Sequence, residues 1–335
     1  MKAVILAAGK GTRMRELTHA LPKPMLKVQG KPILEHILEG IVRAGVREVF
    51  IVTGWRAETI ETHFGDGAKW GARVVFGRQA EQNGTGKAAD PAREFLGASP
   101  FILTYGDILV SPDTYPRMIQ RFHEDSFSGV ITVTKGEDVT QGGVNFFDDQ
   151  FCLKRLVEKP TREQIEQLRR EGWFRPGEPV WYNAGIYIFK PSLFEFTARL
   201  EKSPRGEYEL TDAISALVAA QHRLAGLEIQ GRWVDVRDPE VLARLSDAVG
   251  IEIWTNTGIY GAADRKAVPA FVHTLTAEQL ARRFISEAAK GVGGMKPRFI
   301  KTGVQTSPLD ELDRKLVSAA AIASRETGLT VASHT

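Results

Sequence analysis

The stretch "MKAVILAAGKGTRMRELTHALPKPML", residues 1–26, decides the fold. A run of apolar residues leads at once into Gly9 and Gly11, then Thr12-Arg13, then Lys23 between Pro22 and Pro24. A strand that enters closely spaced glycines makes a loop whose backbone N–H groups can approach an anion, as in phosphate-binding nests. Arg13 adds a forked donor suited to phosphate oxygens. By themselves Gly9 and Gly11 would serve a tight strand-to-helix turn equally well. Two familiar phosphate loops fit badly. A dinucleotide fingerprint needs a third glycine where Met14 stands, and a Walker A loop needs Ser or Thr directly after Gly-Lys, where Gly11 stands. The later "GTGKAA" at 84–89 has Ala88 after Gly86-Lys87 and Glu81 in place of the earlier glycine.

Outward from this loop, β-type runs alternate with amphipathic helical patterns: "AVILAAG", "PILEHILEGIVRAG", "EVFIVTG", "AETIETHFGDGAKWG", "ARVVFGRQ" and "FILTYGD". Such alternation predicts an α/β layer with a mostly parallel central sheet, whose ligands belong at the carboxyl ends of the strands. A looser β-rich region follows at "GGVNFFDDQFCLKRLVEKP" and "NAGIYIFKPSLFEF". Near residue 249 the rhythm restarts with "IEIWTNTGIYGA", "TAEQLARRFISEAAKGV", "RFIKTGV", "LDELDRKLVSAAAIASRETG" and "LTVASHT", a second βαβαβ series. The predicted organisation is therefore one domain over 1–249 and a smaller fragment over 250–335.

Composition narrows the function. The 335 residues are 43% apolar and 25% charged, enough for about two domains with buried cores. Forty-four basic and 41 acidic side chains are interspersed to a net +3, so no basic block is available for nucleic acid. The single cysteine, Cys152, excludes an internal disulfide and suits a reducing compartment. "AVILAA" is shorter than a signal-peptide core and nothing approaches a membrane span, so a cytoplasmic protein without membrane partners is expected.

The opening stretch, taken with "AEQNGTGKA", "TYGDI", "EKP", "NAGIYIF", "EYELTDAI" and "WVDV" in that order, resembles the sugar-1-phosphate nucleotidylyltransferases over roughly residues 1–249. The resemblance implies a Rossmann-like nucleotidyltransferase fold and a reaction in which a sugar-1-phosphate attacks the α-phosphorus of a nucleoside triphosphate, giving a nucleotide sugar and pyrophosphate. It implies that the loop around Leu6, Ala7, Ala8, Gly9, Gly11 and Thr12 wraps the nucleotide, and that Arg13 and Lys23 neutralise the leaving pyrophosphate. Asp107 and Asp235 match the positions that hold Mg2+, although "RDPE" after "WVDV" departs from the commoner Gly-Thr run. Gln79, the Gly84 backbone and Thr85 match the base-binding positions. An amide with both donor and acceptor can meet the O4/N3–H edge of uracil or thymine. "AEQNGTGKA" and "YGD" look most like the uridylyltransferases that make UDP-N-acetylglucosamine, while thymidylyltransferases for glucose-1-phosphate share much of the frame, so the resemblance ranks UTP first and dTTP second. Lys159 matches the lysine on the sugar's phosphate, Glu158 and Asn183 match partners of sugar hydroxyls, and Gly143 a backbone contact to the ring. Catalysis is expected to be electrostatic, because the attacking phosphate is already ionised.

Residues 251–335 resemble the phosphotriesterase-like amidohydrolases through "TNTGIYGA", "PRFIKTGV" and "DRKLVSAAAIASRETGLTVASHT". Lys301 and His334 match two metal-binding positions of that family, but its remaining ligands have no counterpart, and only about three of the eight strands of a (β/α)8 barrel are present. No hydrolase activity is expected of this fragment. Two other readings stay open: a metal-dependent hydrolase acting through Lys301 and His334, and a non-catalytic nucleotide-sugar sensor using the first domain's pocket. No hexapeptide β-helix repeat follows the first domain, so no appended acetyltransferase activity is expected.

Overall fold

The computed structural model describes residues 1–335 except 12, 13, 15–17, 19, 20, 80, 175, 176, 248–255, 263, 264, 266, 267, 292–295, 306, 307 and 335. Two compact units divide the chain, Met1–Leu242 and Ala243–Thr335.

The first unit begins β1 (Lys2–Leu6), α1 (Ile33–Arg43), β2 (Glu48–Thr53), α2 (Ala57–Phe64), β3 (Arg73–Arg78) and β4 (Phe101–Tyr105). It continues β5 (Ile108–Val110), α3 (Thr114–His123), β6 (Gly129–Thr134), β7 (Gly143–Phe147), β8 (Leu153–Glu158) and α4 (Arg162–Arg170). β9 (Trp181–Phe189), α5 (Leu210–Ala219), β10 (Leu224–Glu228) and β11 (Trp233–Asp235) complete the elements that frame the site. Nine strands form one mixed sheet along the path β8-β7-β9-β4-β1-β2-β3, with β6 pairing β9 and β10.

The central run β4-β1-β2-β3 is parallel throughout. Its chemistry explains this: Ala3, Val4 and Ile5 of β1 are all fully buried, the continuous apolar run of a strand covered on both faces. In α1, Ile33, Leu34, Ile37, Leu38, Ile41 and Val42 recur at three- and four-residue spacing and are all buried, which defines the stripe a helix lays on a sheet. β9 runs antiparallel to β4, β6 and β7 at once; its β-type composition was legible, its direction was not. Cys152 is buried, and its backbone bridges to Ala225.

Among the described residues of the second unit, β12 (Asn256–Thr257), β13 (Phe299–Gly303) and β14 (Thr330–His334) form a parallel sheet in the order β12-β13-β14, with α6 (Ala277–Lys290) and α7 (Glu311–Thr327) connecting them. The strand expected across "IEIWTNTGIYGA" is described only at Asn256–Thr257, since 251–255 lie outside the described residues. Leu280, Ala281 and Phe284 of α6 close a small core with Ile300 of β13 and Leu316, Ala319, Ala320 and Ala323 of α7. Each helix has a sequence-encoded start. Thr276 and Gln279 make a reciprocal capping box for α6, and Asp310 accepts from the Asp313 N–H at the head of α7. Gly328 ends α7 in the left-handed conformation that glycine adopts without strain.

Candidate active site

β1 pairs in parallel with β2 on one side and β4 on the other, so the chain leaves its carboxyl end at a topological switch point, where open α/β sheets form their ligand crevices. A cavity of about 490 Å³ opens there. Leu6, Ala7, Ala8, Gly9 and Gly11 all line it. The loop is fixed by backbone bonds: Ala7 N–H donates to Val52 O (2.8 Å), Gly106 N–H to Leu6 O (2.9 Å) and Trp55 N–H to Ala8 O (3.1 Å). The two glycines have different reasons. Gly11 has φ +63°, and a Cβ there would lie 2.8 Å from Lys23 Cβ, whereas a Cβ on Gly9 would meet no protein atom within 4 Å. Thr12 and Arg13 lie outside the described residues.

Lys23 follows Pro22 in a short 3-10 turn and forms an ion pair with Asp107. Asp107 follows β4 and precedes β5. β11 pairs antiparallel with β5, setting Asp235 opposite Ile108, and the Val236 N–H donates to Asp107 O at 3.0 Å. That pairing brings the two aspartates to neighbouring backbone positions, and both line the cavity. Among the described residues no group of three or more His, Cys, Asp or Glu side chains is arranged to hold a metal. Two carboxylates with room for phosphate oxygens and water are what Mg2+ prefers, so this pair fits that ion.

Gln79, Gly84 and Thr85 also line the cavity. Gln79 Nε2 donates to Gly84 O at 3.3 Å, and Thr85 Oγ1 accepts from the Leu210 N–H at 3.2 Å. Gly84 has φ +116° and packs so closely that a Cβ would lie 2.3 Å from Tyr208 O. The Tyr208 N–H donates to Asn83 O (2.8 Å) and the Gly86 N–H to Tyr208 O (2.7 Å), so residues 83–86 are laced to the 207–209 segment. Gly84→Ala must therefore break this lacing, at a cost of about 1–3 kcal/mol. A lower denaturant midpoint is expected; an unaltered midpoint would show the contact to be slack.

Gly143, Glu158, Lys159 and Asn183 line the remaining end of the cavity. Gly143 and Glu158 are register partners on β7 and β8. A Cβ on Gly143 would come 3.1 Å from Asn183 Cβ and 3.3 Å from Glu158 Oε2, and one on Gly142 only 2.2 Å from the Tyr182 hydroxyl. Lys159 turns sharply at φ +41°, its N–H donating to Gly142 O at 2.8 Å. Burial pushes the Glu158 carboxyl up; Lys159 and Arg205 oppose this, while the Glu209 and Asp212 charges add to it. Lys159 and Arg205 each approach Glu158 to 3.9 Å, and Arg205 also meets Glu209 at 2.8 Å. An acid whose pKa is raised loses its charge early as pH falls. If ionised Glu158 accepts from a substrate hydroxyl, kcat/KM should fall on the acid side at a pH above the usual carboxylate range, and Glu158→Gln should remove that limb. Retention of the limb in the variant would assign it to another group.

Several cavity residues are not among the candidates that the sequence motifs singled out. Gln82 Nε2 donates to Ala8 O at 2.7 Å, joining the two loops, whereas the sequence around it singles out Gln79, Gly84 and Thr85. Tyr187 is buried and Tyr105 partly so, and burial pushes both hydroxyls up, which keeps them protonated. Tyr182 is pushed up to about 12 by burial and then by the Asp235 charge. Arg237, Gln141 and Trp233 line the cavity too, Trp233 Nε1 donating to Ala184 O at 2.9 Å.

In the second unit Lys301 and His334 lie on adjacent strands, Lys301 opposite Ala332 and His334 opposite Gly303. The Lys301 ammonium lies 5.5 Å from the centre of the Tyr260 ring.

A parallel-centred sheet with a glycine-containing loop and two aspartates lining the cavity at its switch point is the frame of a nucleotidyl transferase. Residues 2–250 match the nucleotidyl transferase family, and the chain belongs to it; residues 229–335 match the phosphotriesterase family. Among similar proteins, the low-salt glycan biosynthesis nucleotidyltransferase Agl11 of Haloferax volcanii is 31% identical over 74% of this chain and 66% of its own length. The mannose-1-phosphate guanylyltransferase catalytic subunit beta of Drosophila pseudoobscura pseudoobscura is 31% identical over 78% of this chain and 67% of its own. The chain thus spans about two thirds of the length of these relatives. A crystal structure of UDP-glucose pyrophosphorylase complexed with UDP-glucose superposes with a TM-score of 0.64 at 23% identity, covering 74% of this chain and 98% of that one, and shares its fold. Among the described residues no helix is long and apolar enough to cross a membrane.

Proposed function

We propose that the domain expected over residues 1–249, whose compact unit spans Met1–Leu242, transfers a nucleotidyl group from a nucleoside triphosphate to a sugar-1-phosphate. The observation that carries this reading is the gathering of Lys23, Lys159, Asp107 and Asp235 around one cavity at the switch point of the sheet. A phosphate oxygen of the sugar-1-phosphate attacks the α-phosphorus. A new P–O bond forms there, the bond to the oxygen bridging the α- and β-phosphates breaks, and pyrophosphate departs with the electron pair. Both reactants are anions, so alignment and charge neutralisation dominate the barrier. Lys23 and Arg13 offset charge on the leaving pyrophosphate, while Lys159 binds the acceptor phosphate. Asp107 and Asp235 would hold Mg2+, which when bound neutralises charge between the two reacting phosphates. The loop from Leu6 to Thr12 wraps the triphosphate, and Gly9, with open space where a Cβ would project, leaves room for it. Gln79, with Gly84 and Thr85, faces the base, and its amide favours UTP or dTTP. Glu158, Asn183 and Gly143 hold the sugar. No side chain needs to act as nucleophile.

The test is a crossed assay of UTP, dTTP, CTP and GTP against several hexose-1-phosphates at saturating Mg2+, read as pyrophosphate release. Turnover with a uridine or thymidine triphosphate is expected. Turnover with GTP alone would overturn the base assignment, which the guanylyltransferase relative makes the sharpest alternative. Release with no pair would overturn the reaction.

A further inference from the structure

Each of the two aspartates assigned to a divalent ion already has a cation against it. Lys23 pairs with Asp107, and Arg237 Nε lies 3.9 Å from Asp235 Oδ2. Arg237 stands two residues beyond Asp235, in the "RDPE" run, and its side chain lines the cavity. Its second partner is Glu137, at 2.8 Å, in the segment that leads through Gln141 and Gly142 to Gly143. The Asp138 carboxylate, bonded to Thr140, is within electrostatic reach of it. Tyr182, whose hydroxyl abuts Gly142, is within electrostatic reach of Asp235, Arg237, Glu137 and Glu158 together. Arg237 therefore belongs to the end of the cavity assigned to the acceptor, with Lys159.

A guanidinium has five N–H donors in a planar fork that matches phosphate oxygens. Held between two carboxylates, it gives up one of them when Asp235 turns to a divalent ion, and the freed donors face a cavity meant for a phosphate ester. We propose that Arg237 is a second cation for the acceptor phosphate, beside Lys159, held on Asp235 until a divalent ion takes that carboxylate. The inference rests on the nucleotidyl-transfer reading given above. It requires Arg237 to oppose the metal when no substrate is present and to support the acceptor when one is. A residue that merely ties Glu137 to the strand end would do neither.

The experiment uses the full chain with Arg237→Gln, Arg237→Lys and Glu137→Gln. Mn2+, an ion visible by electron paramagnetic resonance, is titrated without substrates, and KM is measured separately for the triphosphate and the sugar-1-phosphate. Arg237→Gln is expected to bind Mn2+ about two- to fivefold more tightly, the range for loss of a partly exposed charge pair. The same substitution should raise the sugar-phosphate KM about tenfold or more, as for loss of a charge-assisted hydrogen bond, and leave the triphosphate KM within about twofold. Arg237→Lys should recover part of the sugar-phosphate KM. Glu137→Gln, which removes the nearer of the two carboxylates paired with Arg237 and leaves Asp235, should weaken Mn2+ binding, and this decides the matter if Arg237→Gln does not fold. Unchanged or weaker Mn2+ binding in Arg237→Gln, tighter or unchanged binding in Glu137→Gln, or an unchanged sugar-phosphate KM overturns the proposal. If the wild-type protein turns over no substrate pair, the reaction assigned above fails, and the Mn2+ titrations still decide whether Arg237 and the ion compete.

Discussion

Asp107→Ala is expected to lower kcat for nucleotidyl transfer by about 10²–10³-fold, the effect of removing one preorganised charge from a reacting centre. Asp107 is held from both sides by backbone bonds that the substitution does not touch: the Gly106 N–H to Leu6 O at 2.9 Å and the Val236 N–H to Asp107 O at 3.0 Å. Its carboxylate is partly exposed and paired with Lys23, so folding stability should change by no more than about 1 kcal/mol. The expected result is a protein that melts near the wild-type temperature, binds the triphosphate weakly with Mg2+, and barely releases pyrophosphate. A wild-type kcat would remove Asp107 from the reaction. A large fall in melting temperature would make it a structural residue instead.

Arg265→Met should unfold the second unit by itself. The Arg265 guanidinium pairs with both Asp313 and Asp310 and donates to Gly261 O at 2.6 Å. Asp313 is fully buried, and its Oδ2 has no hydrogen-bond partner. The hydrogen bond from Arg265 lowers the Asp313 pKa most, burial works against it, and the Arg265 charge adds to the lowering. Stability carried by such a depressed carboxyl is present above its unfolded pKa and is lost as pH falls through the folded one. Without the arginine a buried carboxylate is left uncompensated, which costs about 3–5 kcal/mol, comparable to what the small core around Phe284 and Leu316 can withstand. Amide exchange should show protection lost across α6 and α7 while β1 and β2 stay protected. Undiminished protection in α6 and α7 would show that the pair is dispensable.

Much of this architecture was legible where one residue pattern has one physical solution. "AVILAA" is apolar at consecutive positions and became a strand buried on both faces. The stripe of α1, quoted as "PILEHILEGIVRAG", was likewise a local statement. The loop glycines, Lys23, Asp107, Glu158, Asn183 and Asp235 were each marked by a short motif, and all of those described line one cavity. What the chain did not disclose depends on pairing between distant segments. Nothing around Ile108 announces that Asp235 will be its register partner, and nothing in "GGVNFFDDQ" or "NAGIYIF" tells that β9 will bond three strands at once. Gln82 escaped notice because a glutamine in a polar loop has no local signature; its role comes from reaching Ala8 O. Arg205 is similar, an exposed-looking loop arginine that folding brings to Glu158 and Glu209. Arg237 was visible only as a departure from the commoner run after "WVDV".

The most direct test of the whole account is a crystal structure of the full chain with Mg2+, a sugar-1-phosphate and a triphosphate analogue that cannot be cleaved at the α-phosphorus. The account predicts one divalent ion shared by the carboxylates of Asp107 and Asp235 and touching the α-phosphate, with the acceptor phosphate on Lys159 in line with the departing pyrophosphate. Carboxylates at 107 and 235 that point away from each other, or from the triphosphate, would contradict it.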